Sequence, residues 1–276
     1  MLIADIEKEG GLSILLPQVE RVAKLAGQFI AKERAQFSLD RVEVKGEHDF
    51  VSYVDKTAEG MILPALRELL PEAGILSEEG GGESKPTGYN WVVDPLDGTT
   101  NFIHGMPPYA VSIGLSHGDD VVLGVVYEVT ADELFSAVCG GGATMNGAPI
   151  RASRCARIDD ALVATGFPYS NYEHIGPFFS TMEYFMRHSH GLRRLGSAAT
   201  DLVYVACGRV DAFYEYGLHA WDVAAGIVIA TEAGALCADF AGKGGMLHGG
   251  EMLCAAPGLF GEFSREIIRM MGRQDG

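Results

Sequence analysis

The run Trp91-Val92-Val93-Asp94-Pro95-Leu96-Asp97-Gly98-Thr99-Thr100-Asn101-Phe102 constrains this chain more than any other stretch of it. Three consecutive apolar residues make a buried strand, and Asp94 stands at its end, where α/β folds place their ligands. Pro95 lacks an N–H and is expected to end the ladder, and the turn brings Asp97 back toward Asp94. Two carboxylates converging so closely repel unless a cation lies between them. Gly98-Thr99 then offers backbone N–H groups at the start of a short helix, where an anion can sit. Adjoining metal and anion sites describe a way of holding a phosphate through a divalent ion, and oxygen-only donors favour Mg²⁺, Mn²⁺ or Ca²⁺ over zinc. Asp-Gly pairs are also common in turns for backbone reasons alone. The buried strand and the spaced Asp pair tip the balance toward a site.

Two further acidic positions bear on the same reading. In Ile75-Leu76-Ser77-Glu78-Glu79-Gly80 two acids follow an apolar strand. A solvated strand end is their commoner fate, but adjacent strand residues point to opposite faces, so one can serve a site. Glu78 is the candidate ligand. Asp222 precedes the apolar run Val-Ala-Ala-Gly-Ile-Val-Ile-Ala. It is either an N-cap worth ~1 kcal/mol or, because a helix apolar all round opens into an interior crevice, a further metal ligand.

The remaining pattern supplies the frame. Val19, Val22, Ala23, Ala26, Phe29 and Ile30 follow helical spacing after Pro17, and a second helix begins near Val54-Asp55, bent or divided at Pro64 and stopped by Pro71. Short β-rich runs follow from Ile75 to Val138, with a hairpin turn at 118–120 and a mobile loop over 80–88. Beyond 160 helices and strands alternate, with helices over 177–186, 198–206, 221–233 and about 260–271 and strands over 161–165, 210–214 and near 236 and 253. Neither a repeat nor a separating linker interrupts the chain, which reads as one compact α/β unit with two lobes. Glycine, 36 of 276 residues, marks many tight turns. Five scattered cysteines without a Cys-x-x-Cys spacing read as reduced thiols.

In order, spacing and succession of elements, the Glu78-Glu79 pair, the Asp94-Pro95-Leu96-Asp97-Gly98-Thr99-Thr100-Asn101-Phe102 run and Trp221-Asp222-Val223-Ala224-Ala225-Gly226 resemble the inositol monophosphatase family of Mg²⁺-dependent, lithium-sensitive sugar phosphatases, in its bacterial form. The resemblance implies a layered α-β-α-β-α fold with mixed sheets. It would be a single domain over 1–276, with an α+β lobe to about 150 and an α/β lobe from about 151. It implies that Glu78, Asp94 and the carbonyl of Leu96 hold one Mg²⁺, that Asp94, Asp97 and Asp222 hold a second, and that Glu78 helps with a weaker third. Hydrolysis would proceed by in-line attack of a metal-activated water, deprotonated toward Glu78 and Thr99. Asp55 matches an aspartate that binds the threonine corresponding to Thr99; as a helix N-cap it has an ordinary role too. Lys45 matches a loop lysine near the third metal, and reads equally as a solvated lysine. Gly98 and Thr99 would cradle the phosphate, while the backbone of Ala198 and the carboxyl of Glu215 would meet substrate hydroxyls. Glu215, just after an apolar strand, could instead be a strand-end charge. Mn²⁺ would substitute for Mg²⁺, Li⁺ and Ca²⁺ would inhibit, and a homodimer is expected.

A formal charge of −16 argues against nucleic-acid or anionic-membrane partners held by charge. With no basic-then-apolar leader at the N-terminus and no apolar run of spanning length, a cytoplasmic location is expected. The same chemistry fits fructose-1,6-bisphosphatase or nucleotide-3′-phosphate activity. A noncatalytic binding protein would have lost a ligand, and none of Glu78, Asp94, Asp97, Thr99 or Asp222 is missing. A two-carboxylate glycosidase would need no metal. His188-Ser189-His190 lacks nearby acids and reads as a solvated basic segment, and His219 as a packed residue.

Overall fold

The computed structural model describes residues 10–37, 42–46, 49–168 and 172–272, with side chains over 10–37, 53–168 and 172–272. Helix α1 (Gly11–Arg34) buries Leu15, Val19, Val22, Ala23, Ala26 and Ile30 along one face. It starts six residues before the expected Pro17, which lies inside it. Pro17 leaves only the Ser13 carbonyl without its helical partner, and both residues are exposed, so water can satisfy it. A hairpin that the sequence pattern did not reveal, β1 (Val42–Gly46) with β2 (Asp49–Ser52), leads into α2 (Tyr53–Leu69). Helix α2 runs unbroken through Pro64, whose lost partner, the Gly60 carbonyl, belongs to an exposed residue.

Next come β3 (Gly74–Ser77), β4 (Tyr89–Asp97), the short helix α3 (Thr99–His104), β5 (Ala110–His117), β6 (Asp120–Glu128), β7 (Glu133–Val138), β8 (Gly142–Met145) and β9 (Ala148–Pro149). Strands β3 to β9 form a seven-stranded sheet in sequence order, parallel only between β3 and β4. The β5–β6 hairpin turns where expected, with Gly118 at φ 61°. The rest of the chain supplies β10 (Leu162–Thr165), α4 (Ile175–His188), β11 (Gly191–Arg193), α5 (Ala198–Ala206), β12 (Ala212–Tyr216), α6 (Ala220–Glu232), β13 (Leu236–Ala238), α7 (Met246–Gly249), β14 (Glu251–Ala255) and α8 (Phe260–Met271). Its five strands are ordered β11-β10-β12-β14-β13, with β14 antiparallel to both neighbours and the other pairs parallel.

These elements stack as α-β-α-β-α. Helices α1 and α2 cover one face of the larger sheet through Leu15, Ile30, Ile62, Trp91 and Val125. Helices α5 and α6 lie between the two sheets, packed through Leu202, Val228, Ile229, Phe135 and Phe213. Helices α4 and α8 close the outer face of the smaller sheet through Phe178, Phe185 and Phe263. No helix among the described residues is long and apolar enough to cross a membrane.

The approach of α6 to the larger sheet is unusually close, and glycine makes it so. Gly114 of β5 and Gly124 of β6 are direct cross-strand partners. A Cβ on Gly114 would lie 2.9 Å from the Ala224 methyl, and one on Gly124 would lie 2.5 Å from the Ala225 carbonyl oxygen. The two glycines form a saddle in which α6 rests on its small residues, and that seating brings the first turn of α6 beside the end of β4.

Candidate active site

Strand β4 does not end at Pro95. It continues to Asp97 through a bulge: Asp94 pairs with Ser112 and Asp97 with Ala110, so two residues on β4 oppose one on β5. Pro95 is tolerated because a bulge leaves a ladder position unpaired. The extra residue curls the strand, and the Leu96 N–H donates to Asp94 Oδ1 at 2.9 Å. Asp222, in the first turn of α6, accepts the His219 N–H at 2.7 Å. The N-cap itself is His219, not Asp222. Carboxylate oxygens of Asp94, Asp97 and Asp222 all lie within 4.8 Å of one another. Asp94 and Asp97 are buried and Asp222 is half-buried. Glu78 follows β3, extends its ladder by donating its N–H to the Val93 carbonyl at 3.2 Å, and hydrogen-bonds the Asp94 carboxyl.

Burial and crowding push these acids toward their protonated forms. Asp94 is raised well above its ordinary value by burial first, then by Glu78, Asp97 and Asp222. Asp222 is raised well above its ordinary value by burial, then by Asp97, against the opposing His219 amide. Asp97 is pushed up to about 6 by burial, held that low by hydrogen bonds from Ser197, Ala199 and Ala198. Such a set cannot be fully ionised without a cation among its oxygens, and its donors suit a hard divalent ion. The residues present therefore fit a metal.

The Thr99 hydroxyl stands next to this cluster at the start of α3. It lies 3.0 Å from Asp55 Oδ1 and 3.0 Å from the Leu96 carbonyl oxygen. Asp55, buried in the first turn of α2, thus meets the threonine as the resemblance implied. Gly98 turns the chain at φ 89°, where a Cβ would crowd the Gly196 and Pro108 carbonyls at 3.1 Å. The side chain of Lys45, the other candidate on this side, lies outside the described residues.

The Asp97 carboxylate also anchors α5. Its Oδ2 accepts from Ser197 Oγ at 2.6 Å and from the Ala199 amide at 2.8 Å, and the Ala198 amide points at the same group. Glu215 lies inside β12, opposite Met252, rather than after the strand, and is buried. Burial pushes it up to about 8 against the pull of Arg194, with Asp97 adding to the rise. A Cβ on Gly166 would fall 1.9 Å from Glu215 Oε1, so glycine there makes room for the carboxyl. His219 stacks on Trp221 and His188 on Tyr184, so neither joins the acids.

Four nearby residues escaped the sequence reading. Ser197 caps α5 and accepts from the Thr200 N–H, a signal available in Ser-x-x-Thr before an apolar helix. Asp201 is a lone acid in that apolar helix, and both its carboxylate oxygens are buried without a hydrogen-bond partner among the described residues. Burial, then Glu215 and Asp97, raise it well above its ordinary value. Arg194 and Glu59 carry no local pattern that would have marked them.

Comparison with known proteins agrees with this geometry. The profile described as the inositol monophosphatase family matches residues 13–269. An inositol-1-monophosphatase of Mesorhizobium japonicum is 40% identical over 242 residues, covering 87% of this chain and 91% of that protein. The Nus factor SuhB of Vibrio cholerae is 40% identical over 238 residues, covering 86% of this chain and 89% of that protein. The extragenic suppressor protein suhB of Bartonella henselae superposes with a TM-score of 0.86 at 35% identity, over 92% of this chain and 98% of that one. Matched over nearly its whole length in sequence and in structure, the chain belongs to the inositol monophosphatase family.

Proposed function

We propose that this protein is a Mg²⁺-dependent phosphomonoesterase that hydrolyses inositol monophosphate or a related sugar monophosphate to the alcohol and inorganic phosphate. One observation carries the reading: three carboxylates from β4 and α6 meet within 4.8 Å beside a threonine whose hydroxyl is held by Asp55. The relative named inositol-1-monophosphatase supports it.

Glu78, Asp94 and the Leu96 carbonyl would hold one ion, Asp94, Asp97 and Asp222 a second, and Glu78 would serve a weaker third. When bound, Mg²⁺ or Mn²⁺ supplies positive charge for the phosphate and departing oxygens and acidifies an attacking water. The single Thr99 proton is committed to Asp55 or Leu96. Thr99 Oγ can then only accept from a water, which it orients for in-line attack while the Glu78 carboxylate takes the proton. The Gly98 and Thr99 amides hold the phosphate oxygens. Glu215, half-protonated near pH 8, can both donate to and accept from a substrate hydroxyl, beside the backbone of Ala198. Inhibition by Li⁺ and Ca²⁺, a homodimer and a cytoplasmic site of action belong to the same reading.

Phosphate release from inositol 1-phosphate, fructose 1,6-bisphosphate and a nucleoside 3′-phosphate, with Mg²⁺, with EDTA and with Li⁺, tests the proposal. Turnover is expected on the inositol ester, abolished by EDTA and by Asp94→Asn. Activity that survives EDTA, or an active Asp94→Asn variant, would sink the metal assignment.

A further inference from the structure

Helix α2 reaches the site twice. Asp55 and Glu59 are four residues apart and share one face of the helix. Asp55 takes the Thr99 hydroxyl. One turn later, Glu59 Oε1 accepts from Ser77 Oγ at 2.5 Å and from the Gly81 N–H at 3.2 Å. Those two contacts bracket Glu78. The bracketed segment closes on itself through Gly80 N–H to the Ser77 carbonyl at 3.1 Å, and Arg67 of α2 donates to the Gly81 carbonyl at 2.9 Å. A Cβ on Gly81 would lie 2.5 Å from Glu59 Oε2 and 2.9 Å from Leu63 Cδ1, so the loop sits hard against the helix. The stretch over 80–88, expected to be mobile, is tethered again beyond this point, where Lys85 bonds the Asn90 side chain and the Glu72 carbonyl.

We propose that Glu59 is a positioning residue, which sets Glu78 against Asp94 by gripping the chain on both sides of it. The proposal rests on the metal-dependent reading of the site and deepens it. One helix then orients two reacting groups, Thr99 through Asp55 and Glu78 through Glu59, with their spacing fixed by a single helical turn. Glu59 itself touches neither ion nor substrate. Its work is done by acceptor atoms rather than by charge, since both partners are neutral donors.

Mg²⁺ titration calorimetry on the metal-stripped protein, run beside phosphate-release kinetics, tests this. Glu59→Ala is expected to weaken Mg²⁺ binding about 10–100-fold, the range for partners that orient metal ligands. Its kcat should fall while KM for the ester stays near the wild-type value and the stripped protein still melts cooperatively. Glu59→Gln keeps one oxygen able to accept both bonds and is expected to restore Mg²⁺ affinity to within about threefold. Ser77→Ala should fall between the two, because the Gly81 contact remains. Wild-type Mg²⁺ affinity in Glu59→Ala overturns the proposal, and so does Glu59→Gln as weak as Glu59→Ala. If Glu59→Ala does not fold, unchanged Mg²⁺ affinity in Ser77→Ala overturns it. A wild-type protein that binds Mg²⁺ without releasing phosphate refutes the phosphatase reading alone, and the calorimetry still decides the role of Glu59.

Discussion

Stripped of metal, this protein should be less stable at high pH than at low pH, and Asp97 gives the size of the effect. Its folded-state value of about 6 lies above the ordinary 3.8, so the folded chain holds that proton more tightly than the unfolded chain. The stability this contributes is fully present below pH 3.8 and is lost as pH rises through 6. By pH 8 the loss is 2.2 pKa units, or about 3 kcal/mol at ~1.4 kcal/mol per unit. For a chain of 276 residues with an unfolding entropy of roughly 2 cal/mol/K per residue, that is about 5 °C in Tm. Asp94 and Asp222, shifted the same way, add to it. Differential scanning calorimetry of EDTA-treated protein at pH 5 and pH 8 measures the part lost above pH 5, about 1.4 kcal/mol or roughly 2–3 °C for Asp97, and Asp97→Asn isolates that share. That variant is neutral throughout, so its stripped form should outlast stripped wild type at pH 8 and keep only about half of that advantage at pH 5. Saturating Mg²⁺ should stabilise wild type most at high pH and the variant less, through the Glu78, Asp94 and Leu96 site that does not use Asp97. A stripped wild type whose Tm is flat or rises from pH 5 to 8 would refute the electrostatic argument.

Three other outcomes are expected. Thr99→Val keeps the shape of the side chain and removes only the hydroxyl, so kcat should drop by roughly 10²–10⁴ while calorimetric Mg²⁺ affinity stays within a few fold. Gly124→Ala sets a methyl against the Ala225 carbonyl oxygen at 2.5 Å and should cost about 1–3 kcal/mol of stability by urea denaturation, with a smaller penalty ruling out a tight α6 seat. Glu215→Ala should raise KM for the inositol ester about fivefold or more, the loss of one hydrogen bond to a substrate hydroxyl, and leave KM for p-nitrophenyl phosphate, which lacks the hydroxyls, unchanged.

What the sequence disclosed followed the range of the forces involved. Short-range patterning showed in the apolar face of α1 and the small-residue helix α6, and α5 and α8 fall where the spacing put them. The acids of β4 and α6 were legible because strand ends and helix starts have strong local signatures. The bulge after Asp94 was not, since a proline inside a strand is tolerated only where the partner strand leaves a position unpaired, and that partner is β5. Ser197 was missed because its use lies in the hydrogen bond to Asp97, 100 residues away. Glu59 and Asp201 likewise take their meaning from neighbours brought up by other layers.

The saddle of Gly114 and Gly124 divides what this scaffold can vary from what it must keep. Two absent side chains set the height at which α6 rides above the larger sheet, and Asp222 is carried at the near end of that helix. Any added bulk at the saddle would act as a wedge under a lever, lifting Asp222 from Asp94 and Asp97 without touching any of the three. Glu215 hangs from β12, whose main contacts run to β10, β14 and α5 rather than to the two saddle strands. Substitutions there can reshape the rim that meets the alcohol while the distance between the carboxylates stays fixed, so one hydrolytic centre can be retained as substrate preference drifts.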